Sequence, residues 1–166
     1  EYVAAHRPED VALAAYEHAV AQAGKDIKDG RQLWESFLLW AASSASATHA
    51  VPTVLKGMLT TPFLDSPPLL GSPAWDMFCS LVSDPEERAA VEAEAAAAAA
   101  YLEEVSGREA EVAEVPSSGQ ASGPLLTAWK KYLGAEGRRR EGFDLARGVS
   151  LHERAVRECC LTPPLW

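Results

Sequence analysis

The side chains best equipped for chemistry are three cysteines and four histidines, and their spacing sets what they can do. Cys159 and Cys160 are adjacent, with Cys79 far upstream. That is neither an even disulfide framework nor a metal-ligand spacing, so free thiols in a reducing compartment are expected. His6, His18, His49 and His152 are scattered, without the i, i+4 pairing that sets two imidazoles on one helical face for a metal. Structural or solvent-facing roles are expected for them. A phosphate-cradling glycine loop, a nucleophile beside a base and a carboxylate pair set in a cleft are all missing. The chain reads as a non-enzyme with no cofactor, no metal and no small-molecule substrate.

Charge is the second resource. The formal net charge is −9, yet Trp129 to Trp166 holds 8 Lys/Arg against 5 Asp/Glu. Lys130, Lys131, Arg138, Arg139 and Arg140 form a candidate patch for RNA or for a partner; the bland alternative is a solvated turn and helix face. A strongly acidic body argues against a primary phosphate-backbone binder, because each phosphate contact needs a cation. The glutamates from Glu86 to Glu104 fall at helical surface intervals among alanines, which reads as a solvated face or as an acidic docking surface for a basic segment.

Positioning these groups falls to helices, and tryptophan marks them. Trp34 is followed by Phe37, Trp75 by Phe78 and Trp129 by Tyr132, with a last Trp166, at intervals of 41, 54 and 37 residues. An aromatic pair at i, i+3 lies on one helical face and can be buried against a neighbour. Between these pairs lie second apolar stretches centred on Tyr16, Leu55, the alanine run after Asp84, and His152, so each unit is two helices. Ala19 and Ala155 let backbones approach. The expected core is therefore Tyr16, Ala19, Trp34, Phe37, Trp75, Phe78, Trp129, Tyr132, Ala155 and Trp166.

Local signals place the elements. Pro8, with Glu9 and Asp10 behind it, starts a helix running to about Gly24, with Val11, Ala12, Ala15, Ala19 and Val20 as a small-residue stripe. Gly30 separates it from a helix over about Arg31 to Ala42, apolar on much of its circumference. Pro52 fits only the first turn of the helix holding Leu55. Thr61 to Pro73 reads as an extended connection, and Ser72 to about Val82 as a short helix. Asp84-Pro85-Glu86-Glu87 is a helix start, predicting a helix to about Val105. Ser106 to Gly123 is expected to be a flexible linker loop. Leu125 to about Leu133, a turn over Arg138 to Gly142, and Phe143 to about Cys159 complete the series.

Hydrophobic residues are 48% and charged residues 23% of the chain, as in soluble globular proteins. From Phe37 to Leu55 no residue is formally charged, but Ser43, Ser44, Ser46, Thr48, His49 and Pro52 exclude a membrane span. No signal peptide is visible. Glu1-Tyr2 reads as the tail of a helix and Trp166 as the start of another. The expectation is an all-α fold, helix pairs stacked as an α-solenoid, with residues 1–166 a fragment of one array: about three pairs plus partial ends.

The composite of Trp-x-x-aromatic on first helices and aromatic-Glu-basic-Ala on second helices resembles the half-a-TPR (HAT) repeat family over nearly the whole chain outside 106–123. Tyr16-Glu17-His18-Ala19-Val20, Gly24, Leu33-Trp34-Glu35-Ser36-Phe37 and Leu59-Thr60-Thr61-Pro62-Phe63 carry it. So does His152-Glu153-Arg154-Ala155-Val156 running into Cys160-Leu161-Thr162-Pro163-Pro164-Leu165-Trp166. The chain departs from the pattern at Leu55-Lys56-Gly57-Met58, and His152 stands where an aromatic is usual. The resemblance implies a nuclear protein-binding scaffold in RNA processing, most of all pre-mRNA splicing through U4/U6 snRNP assembly or recycling. Its partners would be snRNP or other RNA-processing proteins, with RNA bound mainly by domains outside this stretch and no membrane role. The alternatives are a HAT scaffold of the U1 snRNP or of pre-mRNA 3′-end cleavage, or direct RNA binding through the patch at 130–140.

Overall fold

The structure, a computed structural model, describes residues 8–65, 71–115, 123–139 and 144–159. These form seven α-helices and no strand: α1 (Pro8–Ala23), α2 (Gly30–Ser43), α3 (Val51–Thr60), α4 (Pro73–Leu81), α5 (Pro85–Ala113), α6 (Gly123–Glu136) and α7 (Leu145–Glu158). A turn of 3₁₀ helix, Thr48–Ala50, leads into α3. The protein is all-α, as expected. The chain divides into two compact units, 1–102 and 103–166, with the boundary inside α5.

Helix starts follow their local chemistry. Ser72 caps α4 by accepting from the Trp75 N–H at 3.2 Å, with Pro73 in the first turn. Asp84 accepts from the Glu86 N–H at 3.0 Å ahead of α5, and Asp144 from the Arg147 N–H at 3.1 Å ahead of α7. Each satisfies a donor that an uncapped helix leaves bare. Pro52 occupies the first turn of α3. Gly30 is the first residue of α2 rather than a separator, and its N–H reaches the Asp26 carbonyl at 2.9 Å.

In the first unit α1 packs on α2, α2 on α3 and α3 on α4. Phe37, Ala41, Val51, Val54, Leu55, Trp75, Phe78 and Val91 form one buried cluster with half-buried Tyr16, Leu33 and Trp34 against it. On α1 the inward residues are Leu13, Tyr16 and Val20; of the expected small-residue stripe Val20 is buried and Ala12 and Ala19 are half-buried, while Val11 and Ala15 are exposed. Tyr16 stacks on Phe37 with ring centroids 5.0 Å apart. A large ring supplies more apolar contact than an alanine face, so it sets the orientation of the helix.

Trp34 lies between two glycines. Its Nε1 donates to the Gly24 carbonyl at 3.0 Å. On the other side a Cβ at Gly57 would come within 2.3 Å of the ring. Gly57 thus leaves the space that the indole occupies.

In the second unit α6 packs on α7. Val105 and Val112 of α5, Leu125, Trp129, Tyr132 and Leu133 of α6, and Leu151, Ala155 and Cys159 of the α7 end are buried. The expected linker of 106–123 is corrected here: Ser106 to Ala113 continue α5, and 116–122 lie outside the described residues. Ser106 and Gly107 are weak helix formers, but the segment gains ion pairs along its length. Glu104 pairs with Arg108 at 3.5 Å and Glu111 with Lys131 at 2.6 Å, while Glu109 meets Arg154. The Lys131 and Arg154 partners come from other helices, and tertiary contacts override local propensity. The Arg138 to Gly142 turn is described only through Arg139, and Phe143 and Trp166 lie outside the described residues.

Candidate functional site

The five cations singled out from the sequence do not act alike. Lys130 and Arg138 are exposed. Lys131 is held by both oxygens of Glu111, at 2.6 and 2.9 Å. Arg139 is largely covered and meets two carboxylates: Nη2 donates to Glu104, and Nε stands 3.2 Å from Glu136. Arg140 lies outside the described residues. The side chains that sequence alone sends to solvent as one basic patch are thus partly consumed by the protein's own acids.

The carboxylates they meet belong to a larger network. Glu136, at the last position of α6, is 2% exposed. Its Oε1 accepts from Arg147 at 3.3 Å (Nη2) and 3.4 Å (Nε). Arg154 on α7 is also 2% exposed. Its guanidinium pairs with Glu109, lies 3.9 Å from Glu158, and sits 5.0 Å from the Trp129 ring centroid. A desolvated cation over an indole face gains from the ring quadrupole, and buried charges persist only when paired in this way.

One carboxyl is shifted by this network. The hydrogen bond from Arg139 lowers the pKa of Glu104 below its ordinary value of 4.5; desolvation opposes it, and the Arg139 and Arg108 charges act in the same sense as the hydrogen bond. Guanidiniums do not give up protons near neutral pH, so this network has no general base opposite an acid. What it supplies is fixed charge at fixed places, cross-linking α5, α6 and α7 within their unit.

Arg154, Glu136, Glu109 and Arg147 were missed by sequence reasoning, which treats charged positions as surface. One signal was available for Arg154, which lies three residues beyond Leu151 and one before Ala155, inside the helical stripe that α7 buries. His152, which stands where the repeat pattern usually has an aromatic, is exposed, its Nδ1 at 2.9 Å from the Gly148 carbonyl. The inward place belongs to Arg154, whose stem is apolar and whose head finds Glu109.

The remaining candidates are dispersed. Cys79 is half-buried and Cys159 buried. His18 and His49 are exposed, and His6 and Cys160 lie outside the described residues. Among the described residues no group of three or more His, Cys, Asp or Glu could hold a metal ion, and no helix is long and apolar enough to cross a membrane. Of the expected core, Phe37, Trp75, Phe78, Trp129, Tyr132 and Ala155 are buried, and Tyr16, Ala19 and Trp34 half-buried. No protein-family model and no curated protein matches the chain.

Proposed function

We propose that this chain is a stretch of HAT-like repeats, helix pairs stacked as a solenoid, serving as a nuclear protein-binding scaffold in RNA processing. In this reading it resembles the N-terminal HAT region of the U4/U6 snRNP recycling factor. The observation that carries the proposal is the common use of the tryptophan pairs. Trp75 stacks on Phe78 and Trp129 on Tyr132, each with centroids 5.8 Å apart, while Phe37 stacks on Tyr16 of the preceding helix. Of these stacks Phe37–Tyr16 joins two successive helices, while the other two each lie within one helix and are buried in the core of their unit. Packing of α1 on α2, α2 on α3 and α3 on α4 supports the nearest-neighbour stacking that defines a repeat array.

Recovery from nuclear extract tests the reading. Immobilised chain should enrich U4/U6 snRNP proteins over those of the U1 snRNP and the 3′-end cleavage machinery. Enrichment of either of the latter would transfer the chain to that assembly, and recovery of no RNA-processing protein would sink the scaffold reading. Direct RNA binding through residues 130–140 is the weaker alternative, because Lys131 and Arg139 already face carboxylates.

A further inference from the structure

Resting on that scaffold reading, a docking site can be located. α4 divides cleanly: Trp75 and Phe78 face the core, while Pro73, Met77 and Leu81 are exposed, Met77 at 44% and Leu81 at 50%. These three stand at i, i+4 and i+8, which aligns them as one ridge along the helix. Single exposed apolar residues need no explanation, but these three are aligned on one helix face. Methionine in such a strip adapts its shape to whatever packs on it.

Immediately past the ridge come Asp84, Glu86 and Glu87, all exposed. Among the described residues none of the three is ion-paired. Between Lys56 and Arg108 the sequence holds no Lys or Arg except Arg88. That guanidinium is turned inward, donating to the carbonyls of Val82 at 2.7 Å and Cys79 at 2.8 Å. These two bonds fasten the first turn of α5 to the end of α4, so ridge and carboxylates belong to one corner of the first unit.

We propose that this corner docks a basic amphipathic helix of a partner protein. Apolar side chains of that helix at i and i+4 pack on Met77 and Leu81, and its Lys or Arg residues reach Asp84, Glu86 and Glu87. Charge selects the occupant. A second copy of the chain would bring like charges together, and a nucleic acid would meet an anionic face.

The test uses a fluorescein-labelled helical peptide with leucine on one face and lysine on the other, its glutamate-for-lysine counterpart, and a scrambled leucine/lysine peptide of equal composition. In anisotropy titrations the leucine/lysine peptide should bind and the glutamate peptide should not. Met77→Ser/Leu81→Ser should weaken binding at least about tenfold, with an unchanged circular dichroism spectrum because both residues are exposed. Glu86→Gln/Glu87→Gln should weaken it at low salt and flatten its salt dependence. Equal binding of the scrambled peptide, or unchanged binding by the serine double variant, overturns the proposal. So does a concentration-dependent dimer in sedimentation that the serine variant abolishes, which would give the face to a second copy. In the nuclear-extract experiment, equal recovery of snRNP proteins by wild type and serine variant removes the corner and leaves the scaffold standing. Loss of recovery in the variant supports both, and absence of both recovery and peptide binding overturns both.

Discussion

At the scale of single residues, fit and charge pairing decide more than composition. Adding one methyl group at Gly57 drives a Cβ to 2.3 Å from the Trp34 ring, so Gly57→Ala should destabilise the first unit by about 1–3 kcal/mol. Thermal unfolding followed by circular dichroism measures this, and Gly57→Ala/Trp34→Phe should lose less than the two single variants added together. Arg154 gives a different signature. Arg154→Met leaves Glu109 beside an apolar interior and removes the cation from Trp129, at a cost of about 3 kcal/mol. Adding Glu109→Leu should restore most of that loss, as seen in urea unfolding, because the uncompensated carboxylate is gone. Additive losses would show the pair to be no pair. For Glu104 the sign follows from a folded pKa below the ordinary 4.5. Its stabilisation is complete above that value and disappears as pH falls through the lower folded pKa. Glu104→Gln should therefore flatten the dependence of unfolding on pH below 4.5, and leave it unchanged near neutrality.

At the scale of elements, the starts of helices were legible because they are written in a few adjacent residues. Asp84-Pro85-Glu86-Glu87 and Ser72-Pro73 announce α5 and α4 without help from the rest of the chain. Likewise the i, i+3 aromatic pairs located the inward faces of α2, α4 and α6. The end of α5 was not legible, since Ser106 and Gly107 argue locally for a break while the partners that keep the helix going, Lys131, Arg139 and Arg154, come from distant sequence. Gly107 has open space around its Cβ position, so Gly107→Ala should raise stability by about 0.5–1 kcal/mol. Hydrogen exchange offers a direct check of the continuation: amides of 108–113 should be protected like those of the turns before them. Exchange as fast as in a free peptide would return the segment to the loop expected from sequence. The inward turn of Arg154 was hidden for a related reason, as hydropathy periodicity assigns a charged residue outward whatever waits for it inside.

At the scale of the whole molecule, the acid excess is uneven. Residues 1–102 carry 6 Lys/Arg against 14 Asp/Glu, and residues 103–166 carry 9 against 10. Much of the second unit's positive charge is committed to its own carboxylates, which limits what it can offer a polyanion. In titrations of a U6 RNA at low salt, Lys130→Gln should therefore weaken any binding more than Lys131→Gln, whose ammonium already faces Glu111. Equal effects would mean that the Glu111 pair opens when RNA arrives. The glycines around Trp34 carry a further consequence, for descent rather than for folding. A lineage in which position 34 first became smaller could later accept a side chain at 57, whereas one in which 57 filled first would be eliminated before 34 could yield. The order of events is thereby constrained, and in diverged descendants of this sequence a large residue at 57 should be found only beside a reduced one at 34.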